Sequence, residues 1–266
     1  MQYSEKAPSD LLKPYIKCFW HLESNSTEVD TILPDGCMEL IVHFGASYQR
    51  LSDTSTEMQQ RAFVFGQIDR SMRLQPLGKS NMLGVRFKPY GLSAFTSIPI
   101  NDFTRHSVSL DDVWGQTGLE LEEQLHEHLG IERRIGILER FFTTRLVEKP
   151  KVEALDYAVN FLKSPLSNNS LSDLSNKVNI GERQLQRLFL QHVGLGPKKL
   201  KRIYRLQNVI SLIQKGKVKT LTQVALEAGY YDQAHFNRDF KSITDQSPKE
   251  YINTEMGIGS LFIGTE

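Results

Sequence analysis

The stretch GERQLQRLFLQHVG (181–194) decides the reading of this chain, because the chain writes the same pattern again as DQAHFNRDFKSITD (232–245). Leu185 and Phe189 in the first stretch, and Phe236 and Phe240 in the second, stand four residues apart. That spacing stacks them on one helix face. Arg187 and Arg238 fall at matched positions inside those pairs. The match extends upstream, where Leu171, Leu174 and Ser175 answer to Leu221, Val224 and Ala225 at an offset of 50 residues. Leu185, Arg187 and Phe189 answer to Phe236, Arg238 and Phe240 at an offset of 51, so the extra residue falls in the second turn, AGYYDQ (228–233).

Each copy therefore reads as a short helix, a tight turn and a second helix. The turn needs a residue that tolerates positive φ, which Asn179 supplies in one copy and Gly229 in the other. Ser175 and Ala225 are small enough to let the two helices cross closely. With the apolar pairs pointing inward, Arg183, Gln186 and Arg187 lie on the outer face of one second helix. Gln233, Ala234, His235, Asn237 and Arg238 lie on the outer face of the other. This is a helix-turn-helix pattern, in which the second helix enters the DNA major groove. Arginine can donate two hydrogen bonds to guanine, and glutamine can pair with adenine.

Between the copies runs KKLKRIYRLQNVISLIQKG (198–216), a helix of roughly 28 Å at ~1.5 Å per residue, with Pro197 placed to start it. A strut of that length suits two reading helices on consecutive groove segments, roughly 34 Å apart. Its Lys198, Lys199, Lys201, Arg202 and Arg205 are candidates for phosphate contacts. Charge points the same way. Residues 1–150 carry 16 Lys and Arg against 20 Asp and Glu, whereas 151–266 carry 16 against 11, so a polyanion would meet the C-terminal half.

LSDLSNKV…LQRLF, the linker helix, LTQVALEAGYYDQAHFNRDF and the closing SPKEYI together resemble the DNA-binding domain of the AraC/XylS transcription regulators over residues 166–252. The resemblance implies a seven-helix domain beginning about Val152, a bent or bendable site on double-stranded DNA, and RNA polymerase as a partner. It places base readers at Arg183, Gln186, Arg187, Gln233, His235 and Arg238. Ala234 stands where relatives often carry a polar reader, which limits that position to a thymine methyl. Gly181 stands where a capping serine is common.

The N-terminal half reads as short strands: TILPDGCMELIVHF (31–44), AFVFGQ (62–67), MRLQPLG (72–78) and NMLGVRFKP (81–89). The polar run 46–60 reads as a loop. LSAFTSI (92–98) reads as a short helix, followed by helices at 119–129 and 131–149. In the latter, Ile131, Ile135, Leu138, Phe142 and Leu146 form one stripe, suited to a core or to a homodimer through 119–148. The fold expected is α+β and multidomain: an N-terminal β-barrel or cupin-like sensor domain with following helices (1–150), a C-terminal all-α domain of two helix-turn-helix motifs (151–253), and a tail (254–266). Segments of the N-terminal half also resemble, more loosely, the sensor-like domains fused to such regulators.

Three readings of that half remain open: a small-molecule effector pocket, a cupin-like metal enzyme, or a protein-interaction module. A pocket would draw on His43, Phe44, Phe65 and Arg86, in an interior shared with Phe63 and Phe87. A metal site would need clustered histidines, and the seven in the chain are scattered. No nucleophile elbow, phosphate loop or HExxH occurs, so no catalytic residue, metal or cofactor is assigned. Cys18 and Cys37 form no CxxC and read as buried thiols. No signal peptide or membrane span is legible, which suits a cytoplasmic home.

Overall fold

The computed structural model describes residues 1–52, 55–127, 130–146, 152–164, 170–214 and 220–253. The expected seam at Pro150, the LSNNS turn, His128 and the tail 254–266 lie wholly or mostly outside the described residues.

The N-terminal part is built of two antiparallel sheets. Among the described residues, ten strands run β1 (Gln2–Lys6), β2 (Ile16–Ser24), β3 (Asp30–Ile32), β4 (Met38–His43), β5 (Tyr48–Leu51), β6 (Thr56–Met58), β7 (Ala62–Phe65), β8 (Met72–Pro76), β9 (Ser80–Phe87) and β10 (Ser107–Ser109). The larger sheet has the order β1-β2-β9-β4-β7-β10 and the smaller β3-β8-β5-β6. The two sheets are not closed into a barrel. The run 46–60, expected to be a loop, instead carries the β5–β6 hairpin. It is legible only weakly, because β6 is exposed throughout and β5 buries Tyr48 alone. LSAFTSI contributes a single short 3-10 turn, Gly91–Ala94.

Three helices close one face of the larger sheet: α1 (Leu110–Trp114), α2 (Gln116–His126) and α3 (Ile131–Thr144). The α3 stripe turns inward. Ile135, Leu138 and Phe142 are buried with Phe19, Leu40, Val85 and Phe87, and Ile131 and Leu146 pack at the edge of that core. The stripe is thus consumed within the chain.

The helical C-terminal domain comprises α4 (Val152–Lys163), α5 (Leu171–Val178), α6 (Glu182–Val193), α7 (Pro197–Gln214), α8 (Leu221–Glu227), α9 (Gln233–Thr244) and α10 (Pro248–Ile252). Ser170 and Asp173 cap α5 reciprocally, and Ser247 and Glu250 do the same for α10, which starts on Pro248. Two cores flank α7. Leu174, Leu185, Phe189, Leu200 and Tyr204 form the first, and Leu206, Val209, Val224, Phe236 and Phe240 the second. One helix therefore supplies apolar side chains to both units, which is what a rigid strut requires.

Candidate nucleic-acid interface

The two turns are built alike. Asn179 (φ 52°) and Gly229 (φ 79°) both take the left-handed conformation. Ile180 N donates to Ser175 O at 3.1 Å, and Tyr230 N donates to Ala225 O at 2.9 Å, an offset of 50 across the turn. Helices α6 and α9 then start at Glu182 and Gln233, an offset of 51. The inserted residue lies in the stretch Tyr231–Asp232, where Asp232 caps α9 by accepting from His235 N at 2.6 Å. Gly181, at the corresponding cap of α6, makes no side-chain bond. Ser175, close to the crossing, donates its hydroxyl to Ile180 O.

Arg183, Gln186 and Arg187 are exposed along α6, and Arg238 is exposed on α9. Gln186 lies against the Gly196 backbone. Two α9 side chains are already positioned. Gln233 accepts from the Thr222 hydroxyl at 2.8 Å, and the His235 ring meets Tyr230 edge-on at 5.3 Å. Such second-layer contacts restrict rotamers before DNA arrives, lowering the ordering cost of recognition.

The strut cations differ in exposure and in the partners that hold them. Lys198 is exposed and Lys201 is half-buried. Lys199 Nζ donates to Asp69 Oδ2 at 2.9 Å, and Arg202 Nε donates to Asp239 Oδ1 at 2.6 Å while its Nη2 donates to Ser242 Oγ. Arg205 packs over the Tyr230 ring at 5.6 Å. Charge counting identifies these cations but not the carboxylates that hold them, since Asp69 is distant in sequence.

The β domain grips the helical domain at several points that sequence reasoning missed. Gln207 Nε2 donates to Pro34 O at 2.6 Å, the Tyr90 hydroxyl donates to Asp156 at 2.7 Å, and Thr104 donates to Gly194 O at 3.0 Å. Ser71 N donates to Ile243 O at 2.6 Å, and Ser71 Oγ to Asp245 at 3.0 Å. Leu33 enters the second helix-turn-helix core and Tyr90 the first. Gly36 (φ 82°) packs close against α7: a Cβ there would stand 2.9 Å from Leu200 Cδ1. The PDG turn was legible as a turn, but nothing local marks it as the bearing surface for α7.

A cavity of about 100 Å³ lies in the β domain, lined by residues of both sheets and, from α7, by Gln207. Phe65 and Arg86, two of the four residues suggested for a pocket, line it. His43 and Phe44 do not, and Phe63 and Phe87 also lie elsewhere. The pleat explains this. Along β4, Glu39 and Ile41 face the cavity while Met38, Leu40 and Val42 face the helix-covered core. Phe44 continues the second series, packing under Arg134 at 3.7 Å. His43 is buried one layer away, stacked on Tyr48 and bonded to Gln59, and burial pulls its imidazole down to about 4. Arg86 is held between Asp35 and Glu39, the latter at 2.6 Å. Burial draws its guanidinium down to about 10 and pushes the Glu39 carboxyl up to about 8.

Among the described residues, no group of three or more His, Cys, Asp or Glu is placed to hold a metal ion. Cys18 is buried, and desolvation raises its thiol to about 12; Cys37 is half-buried and raised to about 11. Among these residues no helix is long and apolar enough to cross a membrane.

Residues 174–254 match the family described as a helix-turn-helix domain, and residues 4–109 match a domain of unknown function, DUF6597. An HTH-type transcriptional regulator of Haemophilus influenzae is 29% identical over 123 residues, which cover 44% of this chain and 41% of that protein. An HTH-type transcriptional regulator of Staphylococcus aureus is 34% identical over 82 residues, 31% of this chain and 11% of that protein. The chain thus matches less than half the length of either relative. Among solved structures, ToxT from Vibrio cholerae shares the two-domain fold, with a TM-score of 0.51 and 14% identity over 90% of this chain and 99% of that one.

Proposed function

We propose that the chain is a transcription regulator of the AraC family and that it binds specific sites on double-stranded DNA with α6 and α9 in successive major-groove segments, a reading supported by the helix-turn-helix match over residues 174–254 and by the regulators that it resembles. The observation that carries this reading is the duplication: two units with the same turn hydrogen bond, and an exposed arginine at the same register, mounted on one 18-residue helix. Arg183, Gln186 and Arg187 read one segment; Gln233, His235 and Arg238 read the next. Lys198 and Lys201 meet phosphates, and Lys199 and Arg202 join them on leaving Asp69 and Asp239.

In the same reading the N-terminal domain, ending at about residue 150, binds a small-molecule effector in the cavity between its sheets. The protein works in the cytoplasm without catalysing a reaction. RNA polymerase and a second copy meeting through 119–148 are its protein partners. The α3 stripe is unavailable to that second copy, which leaves half-buried Ile137 and Phe141 and exposed Leu119 as the apolar contacts. Selection of bound duplexes from a random pool, followed by gel-shift titration, tests the central reading. Enrichment of one sequence is expected; retention of all sequences alike contradicts it.

A further inference from the structure

The β domain grips the two reading helices at the same place. Helix α6 ends on Gly194 and α9 on Asp245, both left-handed, at the 51-residue offset of the helices themselves. Gly194 O accepts from the Thr104 hydroxyl at 3.0 Å, and a Cβ on Gly194 would stand 3.0 Å from Ile100 O. On the other helix, Ser71 N donates to Ile243 O at 2.6 Å and Ser71 Oγ to the Asp245 carboxylate at 3.0 Å. Neither grip belongs to the packing of a reading unit on α7.

The two grips are tied together. Thr104 directly precedes Arg105, and Ser71 follows Asp69 by two residues. Arg105 donates to Asp69 through Nε at 2.6 Å and through Nη2 at 2.8 Å, a bidentate pair that fixes angle as well as distance. Backbone bonds reinforce it: Arg105 N donates to Gln67 O at 2.9 Å, and Gly66 N to His106 O at 3.1 Å. Gly66 sits so near the turn Ile100–Phe103 that a Cβ would stand 1.9 Å from Phe103 O. Arg105 itself holds φ at 67°, a left-handed backbone that a residue other than glycine rarely adopts and that persists only where its surroundings impose it. That bend joins Thr104, which meets α6, to the guanidinium, which meets Asp69.

We propose that the Asp69–Arg105 pair is a spacing gauge: it holds the C-terminal ends of α6 and α9 at a fixed separation, and so determines which distance between two DNA segments the chain accepts. The proposal rests on reading both helices as groove readers, and it adds a specificity that neither helix carries alone. Helix α7 joins the two units at their cores. The β domain joins them at their ends. When the DNA segments are shifted, a stiff gauge leaves the duplex to deform, which costs affinity. A loosened gauge lets the protein move instead.

The test is gel-shift titration of the full chain on duplexes that carry the two selected segments at the selected spacing, one base pair closer and one base pair farther. A fourth duplex has one segment scrambled. The wild type is expected to bind each shifted duplex about tenfold or more weakly than the selected one. Arg105→Gln removes the guanidinium fork, and Thr104→Val combined with Ser71→Ala removes one hydroxyl from each grip. Each is expected to cut the penalty for a shift to about threefold or less, with binding to the scrambled duplex unchanged. If Arg105→Gln also loses the scrambled duplex, its fold is at fault and the double variant decides. A penalty unaltered in the deciding variant assigns the spacing to α7 alone and overturns the proposal, as does a wild type indifferent to the shift. Random-pool DNA selection on the same preparation separates the two readings. Enrichment of paired segments without a spacing effect removes only the gauge, whereas absence of enrichment counts against the regulator itself.

Discussion

Arg187 and Arg238 stand on different helices, yet each is exposed and each sits two residues before a buried phenylalanine. A bidentate arginine–guanine contact contributes about 1–3 kcal/mol of base discrimination. Arg187→Ala and Arg238→Ala are each expected to cost that amount on the selected site and to relax preference at one base position. Titrations against single-base variants of the site check it; equal loss on specific and random DNA would remove both residues from the readers. Gly36 makes a different kind of demand. Alanine there would adopt an αL backbone and press a methyl group on Leu200 and Tyr204. Gly36→Ala is expected to destabilise the chain by on the order of 1–3 kcal/mol in urea unfolding. An unchanged midpoint would mean that the turn does not bear on α7 in solution.

At the scale of elements, the helix-turn-helix units were the most legible part of the sequence, because each signals itself locally. Helical spacing buries Leu185, Phe189, Phe236 and Phe240, and Asn179 and Gly229 mark the turns. The β domain was legible in its central strands, where β4, β7 and β9 are nearly continuous apolar runs. The β5–β6 hairpin was not, since an edge hairpin with one buried side chain carries almost no alternation. The cavity lining was legible only in part: Phe65 and Arg86 face it, whereas Phe44 is turned away by a one-residue step in the pleat. Asp69 illustrates what no local pattern can give. Burial pushes its carboxyl up, but hydrogen bonds from Lys199 and Arg105 outweigh that and hold it below the usual range. A depressed folded value means the contact stabilises above the ordinary carboxylate pKa of ~3.9 and is lost as pH falls through the folded value. Protection factors of the amides in the first turns of α7, taken relative to the intrinsic exchange rate at each pH, are therefore expected to stay flat from neutral pH to about 5 and to fall only in acid. The contribution is modest, because Lys199 is largely exposed. Asp69→Asn releases Lys199 at any pH. It is expected to raise affinity for random duplex and to steepen the salt slope by up to about 0.9. An unaltered slope would mean that Lys199 meets no phosphate.

For the whole molecule, α7 is the shared member. Leu200 and Tyr204 serve one reading unit, Leu206 and Val209 the other, and Gln207 and Leu200 meet the β-domain turn. Leu206→Ala should cost about 2–5 kcal/mol by opening a cavity in the second core. Footprint contacts of α9 should weaken before those of α6. The duplication matters only if both units engage one duplex at once, and hydroxyl-radical footprinting of the wild type, Arg187→Ala and Arg238→Ala on a selected site measures that directly. The wild type is expected to protect two segments on one face of the duplex, about 10–10.5 base pairs apart, with each variant losing a different one. A single protected segment, weakened equally by both variants, would contradict two-site docking by one chain.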